Sequence, residues 1–236
     1  VSAPAVRDAE KRAGPRPRRG SPRETRERLV LAAAREFEEH GYHGTDTNRI
    51  ARAAGYAPGT FYKHFPDKRA AFIAVYEDWV AREWAGISEI VARRGTVKET
   101  AGAIADLVIR HHRAWSGFRA SLRALVALDP EVRRVHRKWR RRQLASMQEL
   151  GSSAWPPRDP TSEPAEGGGG RGRYARRGGR RPPFPNSRAR PSQAIVLLVA
   201  ERIGDALSDG EAASLGLDEE TARAYLVERI AELLRS

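Results

Sequence analysis

Between Thr45 and Phe65 the chain reads TDTNRIARAAGYAPGTFYKHF, and that text leaves few folds open. Thr47 to Ala54 carries Ile50, Ala51 and Ala54 on one face of a short helix. Gly55 follows where such a helix must stop and reverse. A left-handed backbone costs glycine less there than any other residue. Pro58 suits the first turn of a second helix and not its interior. The spacing predicts that this second helix runs from about Pro58 to His64. It turns Phe61 and Phe65 inward and leaves Thr60, Lys63 and His64 on the other side, with Tyr62 at the edge.

Two short helices joined by a glycine turn match the layout of a DNA-binding helix-turn-helix over 46–65. The first helix braces, and the second offers short polar and basic side chains to a major groove. Lys63, Lys68 and Tyr62 are the candidates for phosphates. Thr60, His64 and Arg49 are the candidates for base edges, with Thr45 and Thr47 at the start of the stretch. Pro58 and Gly59 let the backbone come close. An ordinary helical hairpin has the same spacing, so the motif by itself leaves both readings open.

The residues on either side carry a resemblance. FEEHGYHGT, then IARAAG, then GTFYKHFPDKRAAF together resemble the N-terminal domain of the TetR family of transcriptional regulators, over about residues 23–83. Two positions depart from the family pattern. Ala57 stands where a Ser commonly caps the second helix, and Ala70 where a Glu usually follows the first turn of the next one. The resemblance implies a ligand-responsive regulator, more often a repressor, that binds a palindromic site on double-stranded DNA as a dimer. It also implies a C-terminal helical domain that takes a small-molecule effector, with no other cofactor. The last two long helices, about 192–208 and 218–235, would pair with those of a second subunit.

The rest of the chain fits an all-α protein with a three-helix DNA-binding domain at 21–83 and a helical regulatory and dimerisation domain at 84–236. Ser21-Pro22-Arg23-Glu24 is a capping box with proline at the first helical position. Leu29, Ala33 and Phe37 recur every fourth residue and form the stripe of a first helix that Gly41 ends. Asp67 starts a helix expected from Lys68 to about Ala85. Further helices are expected over 97–115, 118–128 and, restarted by Asp129-Pro130-Glu131, to about Leu150. His111, His112, Trp115, Phe118, Arg119 and Trp139 are the candidate lining of a partly polar pocket. Adjacent His111 and His112 point about 100° apart on a helix and cannot chelate one metal together.

Residues 1–20 are poor in large apolar side chains and read as a disordered basic leader. From 151 to 191 the helical pattern is lost in an Arg-, Gly- and Pro-rich segment with four consecutive glycines at Gly167 to Gly170. It reads as a disordered insertion or as the product of two compensating frameshifts. The net charge of +13 is uneven: residues 1–193 are basic, and 194–236 carry −5. That asymmetry suggests a polyanionic partner away from the C-terminus. It also keeps alive a competing reading, a nonspecific nucleic-acid binder acting through basic Arg/Gly-rich tails.

Other classes find little support. Cysteine is absent, which excludes disulfides and thiolate metal sites. No apolar run reaches the length of a membrane span, and the expected location is the cytoplasm. No nucleophile elbow, phosphate loop or i, i+4 histidine pair of a metal site is present, so no catalytic or metal site is expected.

Overall fold

The computed structural model describes residues 21–149 and 191–235. The expectations for the leader and for the segment 151–190 lie outside the described residues. The described residues form ten helices and no strand, as an all-α reading requires. No helix among them is long and apolar enough to cross a membrane.

The helices are α1 (Pro22–His40), α2 (Thr47–Ala53), α3 (Pro58–Tyr62), α4 (Lys68–Ala92) and α5 (Val97–Ala114). They continue as α6 (Ser116–Leu128), α7 (Pro130–Glu149), α8 (Pro191–Asp209), α9 (Glu211–Ser214) and α10 (Glu219–Arg235). Most starts are set locally by side-chain caps. Ser21 and Glu24 form the reciprocal capping box of α1. Asp46 accepts from Arg49 N at 2.8 Å at the start of α2, and Asp67 from Ala70 N at 2.7 Å beside α4. Asp129 receives Glu131 N and Val132 N at 2.8 and 3.1 Å, which opens α7. The helix α4 runs past Gly86 to Ala92, seven residues beyond the expected end. A Cβ at Gly86 would lie only 3.0 Å from Leu107, so this glycine serves close packing inside a continuous helix.

The described residues cluster into two compact units, 21–82 with 114–136, and 83–113 with 137–149 and 191–235. The division therefore does not follow a single cut near residue 83. The helix α6 and the start of α7 belong with the N-terminal helices.

The core of the first unit grows from the stripe on α1. Leu29, Ala33 and Phe37 are fully buried. Phe37 meets Phe72 edge-on at 5.1 Å, and Phe72 stacks on Phe118 of α6 at 4.7 Å. The helices α1 and α6 cross closely at Gly117, where a Cβ would come within 2.1 Å of the Glu38 carbonyl oxygen. The Glu38 carboxylate then accepts from Gly117 N and Phe118 N at 3.1 and 2.8 Å. It supplies the cap that α6 lacks in its own sequence.

In the second unit Ile87, Ile104, Ala105, Val108, Leu226 and Ile230 form one apolar cluster. At its edge Arg223 of α10 grips Asp106 of α5 through two hydrogen bonds, one of 3.0 Å. Asp218 caps α10 by accepting from Thr221 N at 2.7 Å.

Candidate nucleic-acid interface

The turn between α2 and α3 is built as the spacing requires. Gly55 takes a φ of +81°, and Tyr56 N closes the turn on the Ala51 carbonyl at 2.8 Å. Ile50 and Ala51 are fully buried on α2, as is Phe61 on α3. The helix α3 ends at Tyr62, shorter than expected, and Phe65 follows as a second buried anchor. Its ring lies 5.5 Å from that of Phe61. Ala57 gives α3 no side-chain cap, so two rings and Pro58 hold a single turn in place.

Fixing α3 from behind leaves one face open. Pro58, Gly59, Tyr62 and Lys63 are exposed, and Thr60 and His64 are partly so. A Cβ at Gly59 would meet nothing within 4 Å, so no packing inside the chain demands glycine there. Tyr62 shares a 2.9 Å hydrogen bond with Thr47 Oγ1, which ties the tip of α3 to the first turn of α2. Side chains from both helices thus meet on one surface.

Three other candidates are engaged inside the protein. Thr45 is buried, and its hydroxyl donates to the Glu36 carbonyl at 2.9 Å. It closes the loop after α1 and is not presented outward. Arg49 donates to the Glu36 carboxylate and to the His40 ring, and so braces α2 against α1. Lys68 donates to the carbonyls of Tyr42 and Thr45, both at 2.7 Å. Its ammonium also lies 4.3 Å from the centre of the Tyr42 ring. Burial lowers its pKa, and the nearby Asp46 charge works the other way. Their partners Glu36, His40, Tyr42 and Thr45 lie 9 to 26 residues away, so spacing does not reveal these bonds, and the Arg49 side chain stays 43% exposed.

The six candidates for pocket lining are also divided. Only His112 lines the apolar cavity of the second unit, which holds about 70 Å³. Phe118 is core of the first unit, and Arg119 lies over the Trp79 ring at 5.0 Å. Trp115 borders a separate depression there, beside Leu31, Arg35 and Glu38. His111 sits 3.5 Å from Glu83, and Trp139 lies under the Arg142 guanidinium at 4.9 Å. Sequence reasoning missed Glu83, which faces the same cavity. One of four acids on α4, it gave no signal of its own.

The family described as "Bacterial regulatory proteins, tetR family" matches residues 29–75, the span that contains α2, the glycine turn and α3. Over that span the chain is similar to the TetR family. Beyond this TetR-family head the likeness is partial. The HTH-type transcriptional repressor AcnR of Corynebacterium efficiens is 30% identical over 112 residues, 48% of this chain and 56% of that protein. The fatty acid metabolism regulator protein of Bacillus subtilis is 29% identical over 89 residues, 38% of this chain and 44% of that one. The chain thus spans about half the length of the curated relatives it matches. A transcriptional regulator from Rhodococcus sp. Rha1 superposes with a TM-score of 0.60 over 92% of this chain and 97% of its own. Its 19% identity makes that a likeness of fold alone.

Proposed function

We propose that the protein is a sequence-specific DNA-binding transcriptional regulator, a ligand-responsive repressor that binds a palindromic operator as a dimer. The observation that carries this reading is the outward face of α3, where Thr60, Tyr62, Lys63 and His64 surround the open Gly59 while Phe61 and Phe65 anchor the helix from within. A groove-reading helix needs that division of labour. Lys63 and Tyr62 contact phosphate, and Thr60 and His64 reach base edges. Thr47 completes the surface from α2. Arg49, Thr45 and Lys68 support it from inside.

Dimerisation through α8 and α10 is supported by apolar side chains left in solvent. Ile195 and Leu198 of α8 are 58 and 59% exposed, and Tyr225 of α10 is 47% exposed. A second copy covering them would remove that cost. The effector site is the cavity of the second unit, and ligand preference for one of two states sets operator affinity. The AcnR relatives are named as repressors, which favours repression here.

The test is selection of a binding site from random duplex DNA, followed by gel shifts over a salt series. One near-palindrome bound far more tightly than scrambled DNA, with loss on Lys63→Ala, is the expected result. Equal binding to all sequences would overturn it in favour of a nonspecific binder.

A further inference from the structure

The helix α7 carries a dense charge run. Seven of the ten residues from Arg133 to Arg142 are Lys or Arg, and the only acids of the helix, Glu131 and Glu149, stand at its ends. Two of the seven serve the fold: Arg133 donates to the Val126 and Ala127 carbonyls, and Arg140 engages Glu201. Further along, Arg137, Lys138, Arg141 and Arg142 are exposed, and none of the four forms an ion pair among the described residues. Their contacts are slight. Arg141 Nε donates to the Arg137 carbonyl at 3.3 Å, and Arg142 lies over the Trp139 ring at 4.9 Å. All four belong to the second unit and share a face about 140° wide on the helix. The packed side is the opposite one, where Val132, Val135 and Gln143 are buried. Arg137 with Arg141, and Lys138 with Arg142, are like-charge pairs at i, i+4, which weaken a helix. A polyanion lying on this face reverses the sign of that contribution.

Three kinds of polyanion are candidates. An anionic membrane takes helices whose apolar face is free to enter the lipid, and that of α7 is buried in the protein. Single-stranded nucleic acid needs open aromatic rings for stacking, and the ring on this stretch, Trp139, is covered by Arg142. A duplex needs only cations at the density of its phosphates. Arg137 to Arg142 rises about 7.5 Å, a length over which duplex DNA carries about four charges. We infer that this face of α7 is a second DNA-binding surface, one that grips the phosphate backbone of any sequence. The text beyond the helix has the same sign, with nine Arg and three acids over 151–193. The surface shares no residue with the outward face of α3, and the inference does not depend on that face recognising an operator.

The test is fluorescence anisotropy of the full chain with an operator-free duplex of about 30 base pairs over a salt series. One variant combines Arg137→Gln, Lys138→Gln and Arg141→Gln, and Arg142 stays because it covers Trp139. The slope of log K against log salt is expected to become shallower by about 2 to 3. A control combines Arg93→Gln, Arg94→Gln and Lys98→Gln, exposed cations of the same unit, and is expected to keep the wild-type slope. A melting curve checks that each variant folds. If the first variant melts early, Lys138→Gln alone decides, with an expected change of about one. An unchanged slope in the α7 variant, or an equal loss in the control, would overturn the inference. So would tighter binding of the wild type to single-stranded RNA of the same length or to phosphatidylserine vesicles. Operator preference is measured separately. A chain that prefers one near-palindrome but keeps its slope in the α7 variant defeats this inference alone. A slope lost only in that variant, with no sequence preferred, defeats the regulatory reading alone.

Discussion

Lys68 rests on the face of Tyr42, with its ammonium 4.3 Å from the ring centre and 2.7 Å from the Tyr42 carbonyl oxygen. A second bond, to the Thr45 carbonyl, lets one side chain at the start of α4 fix the loop that leads into α2. Lys63, one turn earlier in the chain, is exposed. Two lysines five residues apart therefore have different duties, and salt dependence separates them. Lys63→Ala should weaken binding to all sequences and lower the salt slope of log K by about one. Lys68→Met should lower the thermal midpoint of the protein and leave that slope unchanged. The check is fluorescence anisotropy with operator DNA over a salt series, beside a melting curve.

Phe61 is fully buried and touches both Tyr62 and Phe65. Phe61→Ala removes the main anchor of a five-residue helix. Truncations of this kind cost about 3–5 kcal/mol. Urea denaturation should register that loss, and operator binding should disappear with it.

Ala57 leaves the start of α3 without a side-chain acceptor. Ala57→Ser should supply one to the N–H groups that follow and raise stability by about 0.5–1 kcal/mol. Slower amide exchange at Thr60 would report the gain locally. Unchanged exchange there would mean that the new hydroxyl does not cap.

Burial works to raise the Glu83 pKa, but His111 and His112 outweigh it and hold the carboxyl well below its ordinary 4.5, at about 2. The folded state thus binds a proton on Glu83 less readily than the unfolded chain does. This contribution to stability is present above about pH 4.5 and is lost as the pH falls towards about 2. Glu83→Gln should flatten the acid side of a plot of urea midpoint against pH between 6 and 3.

Much of the fold was legible because its signals are local. The Ser21 box, the Asp46, Asp67 and Asp129 caps and the positive φ of Gly55 each act within a few residues of themselves. The end of α4 was not legible, because Gly86 looks like a stop until Leu107 is packed against it. The candidate site shows the same division. Gly59, Thr60, Tyr62 and Lys63 follow from the period of α3. The internal bonds of Thr45, Arg49 and Lys68 depend on Glu36, His40 and Tyr42, which lie 9 to 26 residues away. Phe118 and Arg119 were read as pocket residues because their types suit a cavity wall. Their neighbours, Phe72 and Trp79, make them core.

Only Phe61 of the five residues in α3 is buried. Gly59, beside which lies open space, and the partly exposed Thr60 can change with little penalty to folding, as surface substitutions generally do. A lineage carrying this head can therefore wander through new target sequences by exchanging a few outward side chains, and each intermediate along the way still folds.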